Sequence, residues 1–398
     1  MAVSVRDPVH GSIPLDDWVL PLIDNQAFQR LRRIQQLGTA HLVYPGANHR
    51  RFEHSIGAHH LAGRLAEALH LDDDEALTLR AAALLHDVGH GPFSHAFEEL
   101  QHHVGARHED TTVDLVRWGP MADLLRQGGI DPVAVADAVV GQGPLSGIVS
   151  GALDADRMDY LLRDAHYTGV RVTVDPDRLI RVTERDAEHG IVLRESGVLS
   201  AESLLTTRFL MYPAVYLHHT VRASERMLQE AIRSYVEGGH ATYKQLERET
   251  DDGLLHRLRG EGGVAAGLVQ RLDDRRLYKR AYTGTPASFD DPRVQAMLGD
   301  PEERDRVAQE VADLAGVPPH EVLLDVPRPP RFREAKLRVR RRDGSSVPIT
   351  EASSLIRILG DARLDHWRFW VFTPKQHLEK VHRAAEQVLG PMVPDLAD

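Results

Sequence analysis

The chain has 398 residues, of which 42% are hydrophobic and 27% charged, with a formal net charge of −11 and no cysteine. This is enough apolar material for a sizeable core, which excludes a disordered or disulfide-framed class, and the missing thiols leave imidazole and carboxylate to hold any metal. The acidic balance argues against a protein that coats nucleic acid; no run approaches the roughly 18 apolar residues of a membrane span, and Met1 to Asp7 lacks a signal-peptide layout, so the expected compartment is the cytoplasm with no membrane partner.

Helical period dominates residues 1 to about 235. Phe28, Leu31, Ile34 and Leu37 predict a helix stopped by Gly38, and a second is predicted from near Phe52 to Leu69. Asp72, Asp73, Asp74 and Glu75 stand where the positive end of a helix dipole favours acids, at the start of a predicted helix from Ala76 to His86. Past Ile191 to Leu193 the helical pattern returns from Leu204 to Tyr235, and Glu237-Gly238-Gly239 breaks it. The expected domains are therefore a core over residues 1–237 and a C-terminal lobe over 238–398. Within the lobe, Leu337 to Arg340, the Asp343-Gly344 turn and Val347 to Ile349 predict a hairpin, and Trp367 to Phe372 predicts a further strand. The predicted fold class is mainly α, a helical core with a small α+β C-terminal lobe. Arg338, Arg340, Arg341 and Arg342 read as a solvated charged hairpin, so nucleic acid is not an expected partner.

The apolar helix ending in Leu84-Leu85 delivers His86 and Asp87, two adjacent groups able to ligate a divalent ion. The apolar run buries them, and a buried ionised aspartate needs a cation or strong donors. Gly89 and Gly91 are expected to let the chain turn tightly beside the pair. His54 and Asp156 supply two further candidate ligands. Two imidazoles and two carboxylates leave room for water and phosphate oxygens, which suits Mn, Fe, Zn, Ni or Mg in a catalytic role. Such a metal lowers the pKa of water and polarises a phosphoryl oxygen, both of which favour phosphate ester hydrolysis. The leaving oxygen still needs a proton, for which His90, His95 and the pair His108-Glu109 are candidates. His59, His60, His102 and His103 have no tie to these motifs. Arg51, Arg157 and Arg208 offer guanidinium forks to phosphate, with surface ion pairing as the alternative.

The order Arg51-Phe52-Glu53-His54-Ser55, then Leu84-Leu85-His86-Asp87-Val88-Gly89-His90-Gly91-Pro92-Phe93-Ser94-His95, then Asp154-Ala155-Asp156-Arg157-Met158-Asp159-Tyr160 resembles the HD-domain deoxynucleoside triphosphate triphosphohydrolases. It is most similar to the branch of the sterile-alpha-motif and HD-domain protein, without the sterile-alpha-motif region, and the similarity is strong over about residues 5 to 230. The resemblance implies His54, His86, Asp87 and Asp156 as metal ligands and His95 with His108 and Glu109 in proton transfer. It also implies a phosphate and sugar segment from Arg208 to His218, with Gln36, Leu37, Tyr160, Asp164 and Tyr216 at the sugar. The family has lysines where Arg157 and His219 stand. Helix packing with a satisfied hydroxyl is the alternative for Tyr160 and Tyr216. The implied reaction cuts between the 5′ oxygen and the α-phosphorus, releasing nucleoside and tripolyphosphate. A homo-oligomer, dimer or tetramer, and a nucleotide effector are implied too, since Asp24, Gln29 and Arg32 match a guanine-recognition set, although Val3 stands where the family has a basic residue. The rival readings are an HD phosphohydrolase acting on another nucleotide or phosphate ester, and a non-catalytic nucleotide or nucleic-acid-binding module.

Overall fold

The computed structural model describes residues 3–101, 107–143, 145, 148, 151, 153–186, 190–329 and 337–392. It opens on an antiparallel hairpin of β1 (Val3–Asp7) and β2 (Gly11–Leu15). The long helices that follow start where the sequence supplies acceptors for their free N–H groups. In α1 (Arg51–Ala68), Glu53 Oε1 accepts from the Arg50 N–H at 2.9 Å; in α2 (Asp73–Leu85), Asp72 Oδ1 accepts from the Glu75 N–H at 2.8 Å. Two shorter helices, α3 (Ser94–Gln101) and α4 (His108–Arg117), precede α5 (Ala155–Thr168), which Asp154 caps and Gly169 ends with φ +77°. Then come α6 (Val198–Met211) and α7 (His219–Glu237).

Two predicted helices are interrupted. Helix runs from Gln26 only to Arg33, because Ile34 turns extended and Gln35 bridges to Arg50; Gly38, at φ +51°, opens a 3-10 turn and ends nothing. The stretch from Leu204 to Tyr235 is broken by a π turn over Tyr212–Tyr216, where Pro213 has no N–H to continue the ladder. The Tyr212 carbonyl instead accepts from the Leu217 N–H, five residues on, at 2.7 Å.

A four-stranded sheet orders β3 (Thr183–Asp186), β4 (Gly190–Arg194), β7 (Arg338–Arg340) and β8 (Ser346–Pro348), with β4 and β7 parallel. The predicted hairpin is β7–β8. A three-stranded antiparallel sheet places β9 (Phe369–Thr373) between β5 (Lys279–Gly284) and β6 (Leu323–Asp325), and α8 (Pro301–Ala315) and α9 (Leu378–Leu389) pack on it. The main core gathers around α1 and α2 and also takes Leu337, Val339, Ile349 and Ile356 from the chain's last quarter. A second cluster joins Phe97 and Met227 to Trp370 and Phe372, and a third packs Met297, Trp367 and Val381 beneath the three-stranded sheet. The fold is a helical core with small sheets, as the sequence predicts. Among the described residues no helix is long and apolar enough to cross a membrane.

Candidate metal centre

Three helix ends meet at the candidate ligands. His54 lies in the first turn of α1, His86 closes α2 with Asp87 directly behind it, and Asp156 lies in the first turn of α5. Because α1 packs against both α2 and α5, the four side chains converge. His54 Nε2 is 3.3 Å from His86 Nε2, 3.1 Å from Asp156 Oδ1 and 3.7 Å from Asp87 Oδ2. His86 Nε2 is 3.3 Å from Asp87 Oδ1 and 3.6 Å from Asp156 Oδ1.

The donor set fits a divalent ion. Each imidazole has its other nitrogen occupied: His54 Nδ1–H donates to Asp159 Oδ2 at 2.8 Å and His86 Nδ1–H to the Ala83 carbonyl at 2.9 Å. Both Nε2 atoms are therefore turned into the corner, as in carboxylate–histidine–metal arrangements. Two imidazole nitrogens and two carboxylates crowd together here, with His54 and Asp87 buried and Asp156 35% exposed toward the cavity, and such a group favours positive charge among its members. Burial opposes a charge on His54, yet the hydrogen bonds to Asp156 and Asp159 outweigh it and lift its pKa to about 10; His86 is raised as well, through Asp87 and Asp156. Burial likewise works against the Asp156 carboxylate, which His54 and His86 nevertheless hold well below the usual range. The corner thus gathers protons where a cation would replace them.

Asp87 also faces Arg51. Arg51 Nη1 donates to Asp87 Oδ2 at 2.5 Å and its Nε to Ser94 Oγ at 2.8 Å, so the guanidinium expected on phosphate lines the cavity but is held by protein groups. The proton-transfer candidates form a second cluster alongside. The His90 and His108 rings stack at 3.8 Å and 16°, and each Nδ1 lies 2.8 Å from Glu98 Oε1. His90 Nε2 is 3.0 Å from Asp87 Oδ1, and Glu109 Oε2 is 3.3 Å from His108 Nδ1. Burial, with Arg51 and His108 nearby, lowers the His90 pKa; burial also opposes charge on His108, but Glu98 raises it overall. The His95 side chain lies outside the described residues, as do His102 and His103. Gly89 serves a different purpose from the one expected. Its φ is not left-handed; a Cβ there would stand 2.4 Å from the Thr112 nitrogen and 2.6 Å from the His108 carbonyl oxygen, so bare backbone is what lets α4 press against the His86-Asp87 turn.

A cavity of about 530 Å³ opens from this corner. Its wall includes Gln36, Leu37, Tyr160, Asp164 and Tyr216. Tyr216 donates to Asp164 Oδ2 and His49 Nε2–H to Asp164 Oδ1, both at 2.8 Å, while Gln36 Oε1 is buried with no hydrogen-bond partner. The Tyr160 and Tyr216 rings meet edge to face at 6.5 Å. Arg157, Arg208, His218 and Glu109 are not in the wall. Arg157 lies with its Nε 3.6 Å from Asp154 Oδ2. Arg208 reaches the Tyr212 hydroxyl at 3.3 Å and lines an adjoining apolar hollow, and His218 Nδ1 caps α7 by accepting from the Thr220 N–H. In the expected guanine-recognition set, Arg32 Nε donates to Gln29 Oε1 at 2.9 Å and its guanidinium lies 3.4 Å over the Phe52 ring.

Sequence reasoning missed Asp159, Glu98, His49 and the buried Arg222. Asp159 follows Asp156 by three residues on one helix, a spacing that signals a shared face. The others carry no local signal: Arg222 is found in the far wall of the cavity, donating to Asp325 at 2.7 and 2.9 Å, to Glu225 at 2.9 Å and to Glu99 at 3.0 Å.

Comparison with known proteins agrees with this geometry. Residues 51–118 match the HD domain, and residues 174–394 match the HD associated region. An uncharacterized protein of Methanocaldococcus jannaschii is 32% identical over 385 residues, covering 95% of this chain and 80% of that one. The deoxynucleoside triphosphate triphosphohydrolase SAMHD1 of Xenopus laevis is 28% identical over 394 residues, covering 81% of this chain and 60% of that one. This chain thus spans most of the archaeal relative but less than two thirds of the Xenopus one. The crystal structure of a phosphohydrolase from Bacteroides thetaiotaomicron superposes with a TM-score of 0.75 at 25% identity, covering 94% of this chain and 100% of that one. With His54, His86 and Asp87 inside the matched HD domain and the HD associated region matching more than half of the chain, the chain belongs to the HD-domain phosphohydrolases.

Proposed function

We propose that the chain hydrolyses deoxynucleoside triphosphates to deoxynucleoside and tripolyphosphate, using a divalent metal held by His54, His86, Asp87 and Asp156. The observation that carries this reading is the joining of the corner to a cavity whose wall holds the hydrogen-bonded pair Tyr216–Asp164, with His49 behind it on Asp164, and an unpaired buried amide oxygen at Gln36. These are the polar contacts a sugar needs, in a cavity of the size small ligands occupy. Likeness to SAMHD1 supports the same substrate class.

When bound, the metal supplies a nucleophile from water and polarises a phosphoryl oxygen. The chain's own residues do the rest. Gln36, Leu37, Tyr160, Asp164 and Tyr216 seat the deoxyribose, with the tyrosine rings crowding the place of a 2′-hydroxyl. His90 and His108, whose Nδ1 atoms face Glu98 Oε1, supply the proton that the leaving 5′ oxygen takes up, and His95 and Glu109 belong to the same proton-transfer group in this reading. Arg51 is already at the reacting end, and Arg157, Arg208 and His218 reach the phosphates by side-chain rotation. Manganese, iron, zinc, nickel and magnesium all suit the donor set. A cytoplasmic homo-oligomer with a nucleotide effector at Asp24, Gln29 and Arg32 belongs to the same reading.

A second reading, hydrolysis of another nucleotide or phosphate ester, is favoured by one observation: Arg157 and Arg208 lie outside the cavity wall. A panel of deoxyribonucleotides and ribonucleotides with each metal, read by product identity, separates the two. Tripolyphosphate is the expected product; inorganic phosphate alone selects the second reading. Adding GTP to a single-deoxynucleotide assay tests the effector, and an unchanged rate removes it.

A further inference from the structure

We propose that His10, on the N-terminal hairpin, is a positioning residue of the metal centre, acting through Asp159 on His54; the proposal rests on the reading of His54 as a ligand. The hairpin turn aims this ring inward. Asp7 Oδ1 accepts from the backbone N–H groups of Val9 and His10, both at 2.8 Å, and Gly11 at φ +77° turns the chain back into β2. The His10 side chain is 6% exposed, and its Nε2–H donates to Asp159 Oδ1 at 2.6 Å. Asp159 has no exposed surface, and its other oxygen accepts from His54 Nδ1 at 2.8 Å. Arg163 closes the group, donating to the two Asp159 oxygens at 2.8 and 2.9 Å and to Asp7 Oδ2 at 2.8 Å. The hairpin therefore grips the carboxylate behind His54 twice, directly through His10 and through the Asp7–Arg163 pair.

The physical consequence is one of orientation. A metal-binding imidazole is aimed by whatever receives its second N–H, and that acceptor is only as fixed as its own partners. Without His10, Asp159 Oδ1 keeps one bond to Arg163, and the carboxylate can rock toward the guanidinium and away from His54. The room for this assembly is reserved in the backbone: a Cβ at Gly57, three residues beyond His54 on α1, would stand 1.9 Å from Asp159 Oδ1 and 2.4 Å from Arg163 Nη2. A determinant of metal affinity is thereby placed on a strand turn outside residues 51–118, the span that matches the HD domain.

The test is Mn²⁺ affinity of the full chain, measured by competition with a fluorescent chelator. His10→Met, similar in bulk but with no N–H to donate, is expected to bind Mn²⁺ about 10–100-fold more weakly than wild type. His10→Gln, whose amide can still donate to Asp159, is expected to recover most of that loss, which a merely structural role would not predict. His54→Ala is the control for the site itself. If it binds Mn²⁺ as wild type does, the ligand assignment fails and the proposal with it. If His54→Ala loses the ion while His10→Met keeps wild-type affinity, the His10 proposal alone is overturned. Should His10→Met not fold, His10→Leu takes its place as the variant without an N–H donor: Mn²⁺ binding weakened by the same factor supports the proposal, and wild-type affinity overturns it.

Discussion

Two arginines are buried deep in this molecule, and they are buried for different reasons. Arg163, behind the metal corner, is matched to Asp159 and Asp7, and one of those carboxylates also serves two imidazoles, so every charge in the group leads toward His54. Arg222, across the cavity, is surrounded by three carboxylates from three elements: Glu99 on α3, Glu225 on α7 and Asp325 on β6. Glu225 and Asp325 are buried and Glu99 is partly exposed, and Arg226 also acts on Glu99. Burial drives Glu225 upward, Arg222 only partly opposes this, and Glu99 and Asp325 add to it, leaving its pKa at about 7. The first cluster leads to the candidate metal centre; the second ties β6 to α7 and to α3, the helix that carries Glu98. Similar chemistry thus does two jobs, and the difference lies in where the spare bonds point.

That contrast can be broken by experiment. The largest effect is expected on the metal side: Asp156→Ala should abolish turnover while leaving the thermal transition nearly unmoved, and a variant that stays active would remove Asp156 from the centre. On the other side the effect should be stability. Asp325→Ala takes two hydrogen bonds from the buried Arg222 guanidinium and leaves its Nε–H without an acceptor, while Glu225 and Glu99 still face the charge; it is expected to cost about 3 kcal/mol, read by denaturant unfolding. A cost under about 1 kcal/mol would show that the lobe is joined mainly by apolar packing. Gly57→Ala should fall between, losing about 1–3 kcal/mol through overpacking against Asp159 and Arg163, with Mn²⁺ affinity falling in parallel.

Glu225 sharpens the comparison through pH. Its folded pKa of about 7 stands above the ordinary glutamate value, so the folded state holds the proton more tightly; the stability it contributes is complete below about pH 4 and drains away as pH rises through 7. Glu225→Gln should flatten that segment of a Tm against pH curve, and an unchanged slope would mean that Glu225 is ionised throughout. The smallest effect is expected at the β7–β8 hairpin. Arg340 pairs with Asp186 and Glu184, and Arg341 with Glu351 at 3.1 Å, so Arg341→Ala should change stability by less than about 1 kcal/mol and leave any weak DNA retention unaltered.

What could be read from the amino acids alone follows from distance along the chain. Asp72 announces α2 because a cap acts within one turn, and His86-Asp87 at the end of an apolar run announces a buried polar pair because burial is set by the adjacent residues. Ile34 carries the right helical spacing, yet the Gln35–Arg50 bridge overrides it, and that bridge depends on a loop returning to the same place. Asp159 was within reach, sharing a helix face with Asp156. His10 and His49 were not, because their partners lie far along the sequence and nothing nearby distinguishes them from surface histidines. Arg222 and Asp325 are 103 residues apart in sequence and meet only in the finished fold. The four side chains that converge at the corner are thus legible, and the partners behind them, far along the chain, are not.

The parallel pairing of β4 with β7 carries a consequence for how this protein is made. Val192 finds its neighbour only at Arg338, so during synthesis one edge of β4 waits while most of the remaining chain leaves the ribosome. Leu337, Val339, Ile349 and Ile356 arrive equally late to a core whose other members were translated long before. The nascent chain therefore carries an open strand edge and an unfilled apolar seat until its last quarter emerges, and a truncation before residue 337 should leave a product prone to aggregate.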